Sequence, residues 1–498
     1  MGRVGAAERK EAEEVTRLTS RVVLVWLCVG LGVLEAVGQP AAPGAPRSLN
    51  PAPRLPNIIF ILADDLGYGE VGCYGQRKIK TPNLDGLAAE GMRFTRCYAG
   101  TAVCAPSRAA LMTGLHTGHV SIRGNAPVPL LTNELTVAQV LKRAGYETAC
   151  IGKWGLGPEH STATPPHKGF DEWFGYLDQT HAHDYYPTQL WRSSVSAGVS
   201  EFAMSLPRNS GGAKGDYSHD LFTKAAVNFV RVAKYNPFFL YLAYTIPHAH
   251  NELKALGMEV PSDEPYSKES WPQPEKNKAA MITRMDRDIG VLVAQLRQLG
   301  LEKDTVLFFS SDNGPHREGG VDPDFFHSSG PLRGIKRDMY EGGIRVPMIV
   351  RWPGHVPAGI TNEQVWAFWD FLPTAAELAG LPPPAGLDGI SLLPSLLGAK
   401  QTNQHAFLYW ECHEKQSSQA VVMGDWKAVR LAPGQPLELY DLKSDPGETN
   451  NVASVQAEVV GKIEAYLLTA RTQSARWPLR TAAQQAEAQR RRGAADEP

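Results

Sequence analysis

Two groups of residues in this chain have the types and spacing to do chemistry together. The run Cys104-Ala105-Pro106-Ser107-Arg108-Ala109-Ala110-Leu111-Met112-Thr113-Gly114 puts a sulfur nucleophile four residues ahead of a guanidinium. If a helix starts at the cysteine, the two lie on one face and the helix's first amides favour an anion beside them. Asp64-Asp65 and Asp312-Asn313-Gly314 form the second group. Neighbouring carboxylates repel unless a cation lies between them. A donor set of Asp and Asn oxygens suits a hard ion, calcium or magnesium, better than zinc, and calcium is the expectation. Taken singly, Asp, Asn and Gly are also ordinary turn formers, so it is the combination with Cys104 that carries weight.

The elements that must position these residues are legible as apolar runs. Asn57-Ile58-Ile59-Phe60-Ile61-Leu62-Ala63 is continuous and β-prone, as a strand covered on both faces of a parallel sheet would be. Similar runs span Tyr146 to Ile151, Phe238 to Tyr244, Val306 to Phe309 and Val346 to Val350, with helical patterns at His219 to Ala233 and Lys278 to Leu299 between them. This alternation predicts an α/β fold, a large mostly parallel sheet sandwiched by helices. Shorter strands at Phe407 to Glu411, Ala420 to Val422, Trp426 to Arg430 and Leu437 to Tyr440 predict a smaller C-terminal antiparallel-sheet subdomain. Ligands of such sheets collect at the carboxyl ends of the strands. Asp64 directly follows the first strand, and Asp312 closely follows the run ending at Phe309.

The run at 104–114 resembles the signature of the sulfatase family, in which the cysteine of Cys-x-Pro-Ser-Arg is oxidised to formylglycine. The resemblance extends to Gly152-Lys153-Trp154-Gly155-Leu156-Gly157, Pro247-His248-Ala249-His250, Lys336 with Tyr340-Glu341-Gly342-Gly343, and Leu439-Tyr440-Asp441-Leu442 with Asp445-Pro446 and Glu448. It covers Asn57 to about Val452. It implies an alkaline-phosphatase-like sulfuric ester hydrolase that depends on a formylglycine-generating enzyme or equivalent maturase. The modification has a chemical reason: a thiolate that attacked a sulfate ester would be left as a stable thiosulfate, whereas an aldehyde hydrate has one hydroxyl to attack and another to expel the sulfate. The resemblance places calcium on Asp64, Asp65, Asp312, Asn313 and the residue derived from Cys104. It gives Lys153 and Lys336 the stabilisation of the sulfuryl oxygens, Arg108 the aldehyde-hydrate oxygen, and His248 the protonation of the departing alcohol. The implied substrate is a sulfated carbohydrate or aryl sulfate. Because tetrahedral oxyanions differ little in shape, a phosphonate or phosphate ester hydrolase remains an alternative.

One position departs from the family pattern. Many relatives carry histidine two residues after the lysine, and this chain has Gly155. His181 and His183, in Thr180-His181-Ala182-His183-Asp184-Tyr185-Tyr186, are the expected substitutes near the substrate. The His-x-His spacing also suits zinc, but no third soft ligand lies nearby in sequence. A non-catalytic sulfated-glycan binder is the other reading that Gly155 leaves open.

Composition excludes some functions. Among 498 residues, 50 Lys and Arg nearly balance 52 Asp and Glu, so the basic surplus of a nucleic-acid binder is lacking. Residues 1–38 read as a signal peptide: basic residues lead into the apolar run Val22 to Leu34, too short to span a bilayer, and Ala36-Val37-Gly38 offers small residues for cleavage. The expectation is a secreted or periplasmic protein, or one of a lysosome-type compartment in a eukaryote, with no stable membrane span once the signal is removed. The expected division is a linker at 39–55, a catalytic domain at 56–395, the C-terminal subdomain at 396–480 and a tail at 481–498, frayed helix or disordered. In an oxidising compartment Cys73, Cys97, Cys150 and Cys412 could pair in three ways.

Overall fold

Asn57–Ala63 forms β1, and all seven of its residues are buried, as a strand packed on both faces requires. The computed structural model describes residues 54–194, 201–414 and 416–495. The expected leader, and the linker up to residue 53, lie outside the described residues. In chain order the next strands are β2 (Met92–Phe94), β3 (Cys97–Tyr98), β4 (Glu147–Lys153), β5 (Glu172–Tyr176), β6 (Gln189–Ser194), β7 (Glu201–Ser205), β8 (Phe238–Ala243), β9 (Thr305–Ser311), β10 (Met348–Arg351), β11 (Ile360–Asn362) and β12 (Trp366–Ala367). Ten of these build one sheet in the order β11-β2-β10-β9-β1-β8-β4-β5-β6-β7. Its centre, β9-β1-β8-β4-β5, is parallel throughout. The run at Val346 to Val350 becomes β10, which is antiparallel to β9. The segment after β9 stays on the rim where that strand ends, so the next strand starts there and runs back.

Side-chain alternation along β1 sends Ile59 and Ile61 to one face and Ile58, Phe60 and Leu62 to the other. The helices that cover this sheet are α1 (Pro82–Ala89), α2 (Cys104–Thr113), α3 (Val137–Arg143), α4 (Ser218–Ala233), α5 (Gln273–Gln298) and α6 (Phe371–Leu378). The apolar faces of α1, α4 and α5 cover the first side, and those of α2, α3 and α6 cover the second. Helix α5 begins five residues earlier than its apolar pattern, because Pro274 stands in its first turn, where a missing N–H costs nothing.

The C-terminal strands β13 (Leu408–His413), β14 (Ser417–Met423), β15 (Trp426–Arg430) and β16 (Glu438–Asp441) form an antiparallel sheet in that order. One face, with Trp410, Val422 and Tyr440, packs on Tyr98, Ile344 and Trp369 of the main body. The other carries α7 (Ala457–Leu467) through Ile463 and Leu467. The terminal segment forms α8 (Ala482–Ala495). His413 is buried between Glu411 and Ser417, against Trp477. None of the pairings considered for Cys73, Cys97, Cys150 and Cys412 forms; all are free thiols. Cys97 and Cys150 lie within the helix-covered sheet core and Cys412 in the inter-sheet core, where they pack as small apolar residues. Among the described residues no helix is long and apolar enough to cross a membrane.

Candidate active site

Four neighbouring parallel strands, β9, β1, β8 and β4, deliver the chemical residues to one rim. The register pairs Ala63 with Ser311, so Asp64 and Asp312 leave adjacent strand ends side by side. Lys153 is the last residue of β4, and His248 follows β8 by five residues. Asp65 holds a left-handed backbone, φ 65°, a conformation that persists in a non-glycine residue only where its surroundings enforce it. Here its N–H is fixed on Asp312 Oδ1 at 3.1 Å.

Cys104 opens α2 and is buried. Its thiol lies 3.3 Å from Asp64 Oδ1 and 3.8 Å from Asp65 Oδ1. The Ala105 N–H, an orphan donor at the helix start, is taken up by Asn125 Oδ1 at 2.9 Å. Burial, and then the carboxylates of Asp312 and Asp64, push the thiol well above its ordinary pKa. A cysteine in this setting is held as the thiol and is poorly suited to thiolate chemistry.

Each acid has a cationic partner. Lys153 Nζ lies 2.7 Å from Asp64 Oδ2, and Lys336 Nζ lies 2.7 Å from Asp65 Oδ2. Arg108 donates from Nε and Nη2 to Asp312 Oδ2 at 2.9 and 2.8 Å, and from Nη1 to the Lys153 carbonyl. Burial opposes ionisation of Asp64 and Asp65, but Lys153 and Arg108 at the first, and Lys336 at the second, outweigh it and hold both below the usual carboxylate range. Asp312 goes the other way: burial and the Asp64 charge lift it to about 7 despite Arg108. The Asn313 amide donates to Asp65 Oδ1 at 2.7 Å, while its own Oδ1 is buried without a hydrogen-bond partner. An orphaned oxygen beside three crowded carboxylates is a donor set that fits a hard cation. Ligand atoms of Asp64, Asp65, Cys104 and His248 all lie within 4.8 Å of one another.

His248 donates from Nδ1 to the Ala249 carbonyl at 2.6 Å, which leaves Nε2 as the acceptor for Lys336 Nζ at 3.0 Å. Burial and then Lys336 keep this imidazole neutral, its pKa well below the ordinary histidine value.

The sulfatase family model matches residues 56–381, and a model of the N-sulphoglucosamine sulphohydrolase C-terminal region matches residues 335–473. Human arylsulfatase A is 34% identical over 494 residues, covering 85% of this chain and 91% of that enzyme. The chain belongs to the sulfatase family. It is a sulfuric ester hydrolase of the alkaline-phosphatase-like fold. Rat N-acetylgalactosamine-6-sulfatase is 34% identical across 80% of this sulfatase and 74% of that enzyme. The crystal structure of Ps i-CgsB with a neocarrahexaose aligns with TM-score 0.74 and 30% identity, covering 89% of this chain and 98% of that one.

The fold of this sulfatase brings together Asp64, Asp65, Cys104, Arg108, Lys153, His248, Asp312, Asn313 and Lys336, but it separates the two substitute histidines. His181 packs edge-on against Tyr176, with centroids 4.9 Å apart. His183 stacks on His248, and its Nδ1 lies 3.1 Å from Glu252 Oε1. Gly155 adopts φ 72°, and a Cβ there would stand 2.0 Å from Gln179 Nε2, so Gln179 occupies the space a side chain at 155 would need. Sequence reasoning missed three residues here: Glu252, Gln179 and His316. The His316 ring stacks at 6.0 Å on the far side of His248, its Nε2 donating to the Pro247 carbonyl. Only His316 carried a signal, standing three residues after Asn313.

Proposed function

We propose that this sulfatase hydrolyses sulfate esters of carbohydrates after Cys104 has been converted to formylglycine by a dedicated maturase. In this reading the protein is exported, and calcium is held by Asp64, Asp65, Asp312, Asn313 and residue 104. The observation that carries the reading is the buried Cys104, 3.3 Å from Asp64 at the start of α2 and within an acid cluster whose Asn313 oxygen has no partner. The sugar substrate is supported by the relatives named for N-acetylgalactosamine-6-sulfate hydrolysis and for a neocarrahexaose complex.

Bound calcium would supply positive charge for the sulfuryl oxygens, and formylglycine would supply a nucleophilic hydroxyl. The chain's own residues do the rest. Burial disfavours charge on Lys153 and Lys336, but Asp64 and Asp65 respectively outweigh it and keep both protonated. Each thus offers fixed N–H donors to the sulfate. Arg108, held on Asp312 and the Lys153 carbonyl with its Nη2 3.5 Å from Asp64 Oδ2, positions these groups beside residue 104 and is the proposed partner of the aldehyde-hydrate oxygen. Because His248 Nε2 accepts from Lys336, we assign protonation of the leaving alcohol to the Lys336–His248 pair: the lysine carries the proton and the imidazole aims it. His183 is the proposed base, since Glu252 holds its Nδ1–H and leaves the Nε2 lone pair free.

The test is intact-peptide mass spectrometry of residue 104 in protein co-produced with a formylglycine-generating enzyme, alongside hydrolysis of a sulfated monosaccharide. An aldehyde at 104 in parallel with turnover is the expected result. Full activity with an unmodified thiol would overturn the nucleophile assignment.

A further inference from the structure

A cavity of about 700 Å³ opens beside the site, its wall including Lys336 and His316. That volume lies within the range of small-molecule and sugar sites. Its wall also includes Ser418 of the C-terminal sheet, Leu431 just after β15, and Ala482. Since Lys336 also touches Asp65 and His248, whatever is attached to a sulfate held there continues into this space.

The charges in the wall are unequally spent. Lys336 is committed to Asp65. Arg337 is clamped between Glu318 and Glu414. Arg317 is exposed in the same wall and, among the described residues, has neither an acidic partner nor a hydrogen bond. A free guanidinium at the edge of a concave site is suited to paired anionic oxygens, which it binds through two parallel N–H donors. Asp338 accepts from the Ile335 N–H through Oδ2, which leaves Oδ1 for a sugar hydroxyl.

We infer that this cavity is a subsite for the next unit of a carbohydrate chain bearing a second anionic group, read by Arg317. The inference rests on the sulfatase reading of the neighbouring site and narrows its substrate to a multiply anionic oligosaccharide. Either a second sulfate or a uronate carboxylate would present the required oxygens.

Three oligosaccharides of one backbone test this: one with a single sulfate, one with a second sulfate on the adjacent unit, and one with a uronate there. Expected is a preference for a doubly anionic chain that Arg317→Ala lowers about tenfold, through KM rather than kcat, and that Arg317→Lys partly retains. Calorimetry on a Cys104→Ala background should show the same tenfold loss in binding. Whichever doubly anionic chain shows the effect identifies the second group. An unchanged preference in Arg317→Ala, or equal handling of all three chains by the native enzyme, would overturn the subsite. Failure of the matured enzyme to cleave any of the three chains or a sulfated monosaccharide would instead overturn the reading on which the subsite rests.

Discussion

His183 lies flat against His248, the ring centroids 4.7 Å apart and the planes 12° apart. Burial and then Lys153 keep His183 neutral at ordinary pH, and the Glu252 carboxylate fixes its tautomer. His183→Ala should therefore lower kcat by about a hundred- to ten-thousandfold, the usual weight of a general base. His181→Ala, whose ring packs on Tyr176 instead, should stay within about twofold. Steady-state kinetics on one sulfate ester decides the matter, and equal losses in the two variants would remove His183 from the mechanism.

The Asn313 amide distinguishes metal binding from simple packing. Asn313→Asp replaces the donor to Asp65 with a like charge, so the calcium-free protein should lose about 2 kcal/mol or more of stability. The same change adds a fourth carboxylate to the oxygen set, so saturating calcium should raise Tm more in the variant than in the native protein. Thermal unfolding with and without calcium reads both effects. A variant that gains no more from calcium than the native protein would place the ion elsewhere.

How far the site was legible follows from what each residue depends on. Asp64 and Cys104 were readable because one ends a seven-residue apolar run and the other opens a motif, both local features. Lys153 and Lys336 needed the family pattern, since a lysine at a strand end or in a loop looks like any solvated lysine. Glu252 was invisible: its role exists only because a loop after β8 folds over His183, a contact spanning 69 residues. The sheet centre was legible for the same reason as Asp64. Strands β5 to β7 were missed because only β5 joins the parallel centre, β6 and β7 extending it as an antiparallel edge, and because β7 has no buried residue and so lacks a continuous apolar run. The cysteine pairing question could be settled only by seeing three of the four thiols buried without partners.

The unmatured enzyme gives a separate check on residue 104. With the thiol pushed up by burial and by Asp312 and Asp64, less thiolate exists at any given pH than for a free cysteine. Folded protein produced without a maturase should therefore be alkylated by iodoacetamide at pH 8 at least tenfold more slowly at Cys104 than the same protein in denaturant. Peptide mapping over time measures this. Rapid, selective labelling of Cys104 in the folded state would contradict a raised thiol pKa at this position.

A second histidine cluster governs acid stability rather than catalysis. His116 accepts the Gly118 N–H at Nδ1, faces Asp388, and packs edge-on against Trp369 and Tyr409. Burial lowers its pKa from 6.5 to about 4. Above pH 6.5 the ring is neutral in both folded and unfolded chains. Between 6.5 and 4 the unfolded chain binds a proton that the folded one refuses, so stability falls as pH falls, by up to about 1.4 kcal/mol per pH unit. His116→Asn keeps an acceptor for Gly118 and removes the titration. It should be less stable at pH 7.5, through lost ring packing, but should show a flatter decline to pH 4.5. Denaturant midpoints across that range test the slope, and parallel curves would refute the assignment.

Gly155 and Gln179 make the family's missing histidine an experiment. A histidine at 155 would have to adopt φ 72°, a left-handed backbone costing a non-glycine residue roughly 1 kcal/mol. Its Cβ would also displace the Gln179 amide, which donates to the Gly155 carbonyl at 3.3 Å. Gly155→His alone should therefore lower both Tm and activity. Adding Gln179→Ala clears the space, and Tm should recover in part, leaving the backbone cost. The decisive construction adds His183→Ala as well. If the imidazole at 155 and the one at 183 are alternative sources of the same proton acceptor, the triple variant should turn over at least tenfold faster than His183→Ala alone. Recovery of Tm without recovery of rate would show that Gln179 fills a steric gap only, and that His183 does not stand in for the histidine at that position.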